Sequence, residues 1–212
     1  SDTPNAASDW RDRHARADAA LTRFAAEAAR PDEHIDLGRA VLVMGLHAYP
    51  DLNVTAYLAR MDQLALVAGE AVSDAGSRAT SLASFLFGTT GYRGNAEDYA
   101  NPRNSFLNEV LDRGVGIPIT LSALYLEVAR RLDVSAAGIG MPGHFIVKAI
   151  EADGRAVLLD PFHRGRVLSE EECRAQVRAM SGGRQPFDPA FLEPVDSRYI
   201  LTRMLNNLVN AY

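Results

Sequence analysis

Gly116-Ile117-Pro118-Ile119-Thr120-Leu121-Ser122-Ala123-Leu124-Tyr125-Leu126-Glu127-Val128-Ala129-Arg130-Arg131-Leu132 reads as a helix with a proline in its first turn. Proline suits that position because its ring presets φ and the N–H it lacks would have no intrahelical partner there. Two β-type segments follow, Ala136 to Met141 and Phe145 to Ile150, then a turn at Asp153-Gly154 and a third strand from Ala156 to Leu159. A helix followed by antiparallel strands is an α+β pattern.

Working outward toward the N-terminus, the apolar spacing predicts four helices. They run from Asp9 to Ala29, from Ile35 to Leu46, from a cap at Asp51 or Asn53 to Val72, and from Ser77 to about Phe87. A Gly-rich polar loop, Gly88 to Asn95, leads through Asp98-Tyr99 and Pro102-Arg103-Asn104-Ser105 into a short helix, on which Asn104 and Asn108 are expected to share one face. Toward the C-terminus, Ser169 with Glu172 has the form of a capping box for a helix through Met180, and Arg198 to Tyr212 is helical again. The organisation expected is a helical region at 1–90, an α+β core at 91–196 and a terminal helix at 197–212.

Composition narrows the function classes. A formal charge of −5 with interspersed Arg, Asp and Glu supplies no basic field for phosphates, so nucleic acid is not an expected partner. No apolar run approaches the roughly 20 residues needed to span a bilayer, and the start, Ser1-Asp2-Thr3-Pro4-Asn5, lacks the pattern of a secretory signal. One cysteine, Cys173, excludes an internal disulfide and a multi-thiolate zinc site, which fits a reducing, cytoplasmic setting. The chain stops on a helical pattern at Asn210-Ala211-Tyr212, as a terminal helix or a longer natural chain would.

The chemistry-bearing pattern is a helix N-terminus followed by Gly143-His144-Phe145 at the opening of one strand and Asp160-Pro161 at the end of its neighbour. Adjacent antiparallel strands place His144 and Asp160 side by side, where a carboxylate fixes the tautomer and orientation of an imidazole. A thiol at a helix N-terminus is the usual third member, since the helix dipole favours its thiolate.

The chain resembles the SirB-like branch of the transglutaminase-like superfamily, whose cores share a papain-like arrangement. The matching text is Gly91-Tyr92-Arg93-Gly94-Asn95, Pro102-Arg103-Asn104-Ser105-Phe106-Leu107-Asn108, Gly116-Ile117-Pro118, Met141-Pro142-Gly143-His144-Phe145, Asp160-Pro161-Phe162 and Arg203-Met204-Leu205-Asn206-Asn207-Leu208. The resemblance implies that His144 matches the general base, Asp160 its orienting acid, and Pro118 the position of the nucleophile. It also implies TPR repeats after the last motif. Proline at that position removes both the sulfur and a backbone N–H that would stabilise an oxyanion, a donor whose loss alone costs about 100- to 1,000-fold in rate.

Two readings of function follow. In the first, this is a transglutaminase-like domain without its nucleophile, a binding or scaffold module for protein or peptide that needs no cofactor. In the second, His144 and Asp160 serve a hydrolase or acyltransferase using Ser122, Thr120 or water, although hydroxyls inside a helix usually bond back to a carbonyl. Asn95, Asp98, Asn104, Asn108 and Pro118 are the expected cleft residues. His144, His163 and Asp160 offer metal-ligand atoms, but no paired spacing singles out a metal site.

Overall fold

The computed structural model describes residues 6–72 and 76–211, with side chains described from residue 15 to 210. Helix α1 spans Ala6–Ala28, α2 Leu37–Gly45, α3 Val54–Val72 and α4 Arg78–Ala83. Their starts obey local capping chemistry. Asp36 accepts from the backbone N–H of Arg39, Asn53 from that of Ala56, and Ser77 from that of Thr80. Of the two caps considered for α3, Asn53 is the one used. The fourth helix does not continue regularly to Phe87 but widens into a π-helical turn, Ser84–Thr89.

Next come strand β1 (Arg93–Gly94), a 3₁₀ turn (Pro102–Ser105), α5 (Leu107–Arg113) and strand β2 (Val115–Gly116), which pairs in parallel with β1. Phe106, between the 3₁₀ turn and α5, is extended at φ −101 and ψ 124. Asn104 and Asn108 therefore do not share a helix face, contrary to the spacing argument. Helix α6 runs Pro118–Arg131 with proline at its start, as the sequence predicts.

Strands β3 (Ser135–Ile139), β4 (Ile146–Ile150), β5 (Ala156–Asp160), β6 (Arg166–Leu168) and β7 (Pro194–Val195) form one antiparallel sheet in the order β6-β5-β4-β3-β7. The last two lie at its edges and are too short to show periodicity. Helix α7 (Glu170–Met180) carries the expected capping box at Ser169 and Glu172, and α8 (Ser197–Ala211) closes the chain.

The α+β expectation holds. One apolar core draws Leu42 from α2, Met61 from α3, Tyr125 from α6, Val147 from β4, Leu159 from β5 and Met204 from α8, so the helical layer and the sheet bury a common interior. A smaller cluster around Cys173, Ile146 and Leu168 seats α7 on the opposite side. Among the described residues no helix is long and apolar enough to cross a membrane.

Close approach dictates glycine at position 94, where an added Cβ would lie 2.5 Å from the Phe162 ring while the Gly94 N–H donates to the Phe162 carbonyl at 3.0 Å. Gly94→Ala is expected to cost about 1–3 kcal/mol, the usual penalty for overpacking, and to displace Phe162. Urea denaturation would measure the first effect. Unchanged stability would mean that the ring has room to move.

Candidate functional site

The start of α6, the segment entering β4, the Tyr99 loop and α8 converge on a cleft of about 180 Å³ lined by Tyr99, Pro118, Ile119, Gly143, His144, Phe145, Arg203 and Asn207. His144 stands just before β4, and Asp160 is the last residue of β5. The antiparallel register Val147↔Leu159 carries the two side chains to the same end of the sheet. There His144 Nε2 lies 2.9 Å from Asp160 Oδ2. With Nε2 engaged, Nδ1 is the nitrogen left to the cleft.

Asp160 is fully buried, which alone would push its carboxyl upward; the hydrogen bonds and charge of His144 and His163 outweigh this and hold it at about 2. The same Oδ2 receives His163 Nδ1 at 2.7 Å, and Oδ1 accepts the His163 backbone N–H at 3.3 Å. His163 is thus a second imidazole on the carboxylate. The signal for it was present in Asp160-Pro161-Phe162-His163, a turn compact enough for a residue three places on to fold back.

Arg203 of α8 fastens the other end of the histidine's loop. Its Nη2 donates to the carbonyls of Met141 and His144 at 3.1 and 2.9 Å, clamping the Pro142-Gly143 turn from both sides. The rim is aromatic: Phe162 meets Tyr99 at 5.7 Å and His144 at 6.4 Å, measured between ring centres.

The remaining sequence candidates separate. Thr120 and Ser122 are completely buried, their hydroxyls have no hydrogen-bond partner among the described residues, and neither lies on the cleft wall, where α6 presents Pro118 and Ile119. Asn104 is buried behind the cleft rather than in it. Its Nδ2 donates to the Asp98 carbonyl at 2.7 Å, and its Oδ1 accepts from Asn95 at 3.0 Å, so the Asn95, Asp98 and Asn104 set holds the loop that presents Tyr99. Asn108 points away toward α2, where its Oδ1 would sit 3.2 Å from a Cβ added at Gly45. The cause is the extended Phe106, which turns α5 out of line with the preceding turn. Cys173 is on the buried face of α7, and burial first, then the neighbouring carboxylates, push its thiol up to about 11.

His144→Ala leaves Asp160 with one imidazole instead of two. The expected loss of stability is therefore near the low end of a charge-assisted hydrogen bond, about 1–2 kcal/mol, with a larger loss when His163→Ala is added. Thermal denaturation of the two single variants and the double variant would show it. Strict additivity would mean that the two rings act independently on the carboxylate.

Comparison with known proteins agrees with this architecture. Residues 55–206 match a family model described as the transglutaminase-like superfamily. The UPF0162 protein of Xylella fastidiosa (strain 9a5c) is 37% identical over 187 residues, covering 85% of this chain and 66% of that protein. A UPF0162 protein of Pseudomonas aeruginosa is 31% identical over 175 residues, covering 81% and 63%. F-box only protein 21 of Mus musculus is 32% identical over 132 residues, covering 59% of this chain and 20% of its own length. This chain thus spans about two thirds of the length of the bacterial relatives. No solved structure matches. With the helix start, the His144–Asp160 pair and the family match falling on the same residues, the chain belongs to the transglutaminase-like superfamily.

Proposed function

We propose that the domain is a non-catalytic peptide-binding module of the SirB-like type, in which the cleft between α6 and the sheet receives an extended segment of a partner protein without cleaving or modifying it. The observation that supports this most is Pro118 on the cleft wall beside His144, with no thiol and no serine or threonine hydroxyl among the described residues that line the cleft. Acyl transfer through a side chain needs a nucleophile within hydrogen-bond reach of its base. Tyr99, about half exposed, and the partly buried Phe162 offer rigid aromatic surface of the sort that anchors peptides at low entropic cost. TPR helices of the kind the SirB-like resemblance implies would add a second surface for the same partner.

An immobilised library of unstructured peptides would test the reading. Selected peptides are expected to bind, to be recovered with unchanged mass, and to bind at least about 10-fold more weakly to Tyr99→Ala, a loss typical of an interface aromatic. Peptides recovered cleaved or cross-linked would overturn it.

One observation favours a second reading. The His144–Asp160 bond at 2.9 Å keeps the geometry of a base and its orienter, which suits activation of water. Turnover lost on His144→Ala would select it.

A further inference from the structure

The orienting bond to Asp160 accounts for His144 but gives no role to His163. A base needs one carboxylate partner, yet here two imidazoles from different segments, the entrance to β4 and the turn after β5, aim ring nitrogens at a single oxygen. His163 is more than half exposed, whereas Asp160 is fully buried, so the cluster has one open side and one closed side. Its ligand atoms all lie within 4.8 Å of one another.

We propose that His144, Asp160 and His163 form a binding site for one divalent transition-metal ion of the zinc class. Two imidazoles and one carboxylate make up a donor set that suits such ions, and three protein ligands leave coordination positions open for water or a ligand. The spacing fits as well. Donor atoms each about 2.1 Å from a shared ion lie roughly 3–4 Å apart, while here the two nitrogens are 2.9 and 2.7 Å from the carboxylate oxygen and all three atoms lie within 4.8 Å of one another, so small rotations of the rings and the carboxylate admit the ion. The carboxylate between two imidazoles favours a cation.

The proton balance closes without an outside acceptor. Counted from the neutral imidazole, the form that binds metal, each ring proton directed at Asp160 moves to the other nitrogen of its own ring, and the freed lone pairs bind the metal. For His144 this places the proton on Nδ1, the nitrogen left to the cleft. An occupied site therefore has no free imidazole acceptor there and carries a Lewis acid in its place. This goes beyond peptide binding, which is assayed separately in chelator.

The test uses the full chain, stripped with chelator and titrated with Zn²⁺ by calorimetry and with Co²⁺ by visible absorption. One equivalent is expected to bind. His163→Ala, a change at an exposed side chain that spares the core, is expected to weaken binding at least about 100-fold, the upper end of what even indirect metal contacts contribute. His47→Ala, in the separate groove between α1, α2 and α8, should bind like the unmodified protein. Asp160→Asn should lose the Co²⁺ bands. Absence of binding, or binding that His163→Ala leaves intact, would overturn the proposal.

Discussion

Placing sulfur at the head of α6 by Pro118→Cys, in a Cys173→Ala background, is expected to produce a thiol that titrates well below the ordinary value of about 8.5 and reacts with iodoacetamide at pH 6. Two influences act on it. The helix start supplies the positive end of a fourteen-residue dipole, and His144 borders the same cleft with Nδ1 uncommitted. The substitution also restores a backbone N–H. The background matters little to the reading, because burial keeps the native thiol at about 11 and thus protonated at any pH of interest. Adding His144→Ala should return the introduced thiol toward 8.5. An introduced thiol that titrates normally while His144 is intact would show that helix and ring are not aligned on that position.

A comparably large effect is expected at Asp160. Its folded carboxyl is held at about 2, against an ordinary 3.8, by the two imidazoles that override burial. For a group depressed on folding, the stabilisation is complete above the unfolded value and disappears as pH falls through the folded one. Between about pH 5 and pH 1 the protein should therefore lose about 2.5 kcal/mol through this residue alone. Asp160→Asn should cost about 2–3 kcal/mol at pH 7, since an amide cannot accept both N–H groups on one charged oxygen, and should flatten the acid limb of the profile. Urea denaturation at stepped pH for both proteins measures this directly. Parallel profiles would place the acid sensitivity elsewhere.

Much of the site was legible because its determinants are local or follow strand register. Pro118 announces a helix start, Ser169 and Glu172 form the capping box they spell, and two neighbouring antiparallel strands bring His144 to Asp160. What the sequence concealed depends on single backbone states or on packing partners. The extended Phe106 separates Asn104 from Asn108, although a spacing of four would unite them on a continuous helix. Thr120 and Ser122 look available on paper, but on α6 they face the interior. The pairs β1–β2 and β3–β7 span two residues each, too few for an alternating pattern to register. From the sequence His163 is named only as a possible ligand, because its bond rests on a turn that returns it to a carboxylate already assigned to another ring.

An oriented imidazole borders the start of α6, and the proposed function holds that no side chain there acts as an attacking group. The most direct measurement is turnover by the chelator-treated protein of peptide, ester and glutamine-amide substrates, beside His144→Ala, with products followed by mass spectrometry. The expected result is no product above background in either protein. Product formed by the unmodified protein and abolished in His144→Ala would contradict the claim, because the cleft would then contain an attacking group that Pro118 does not supply.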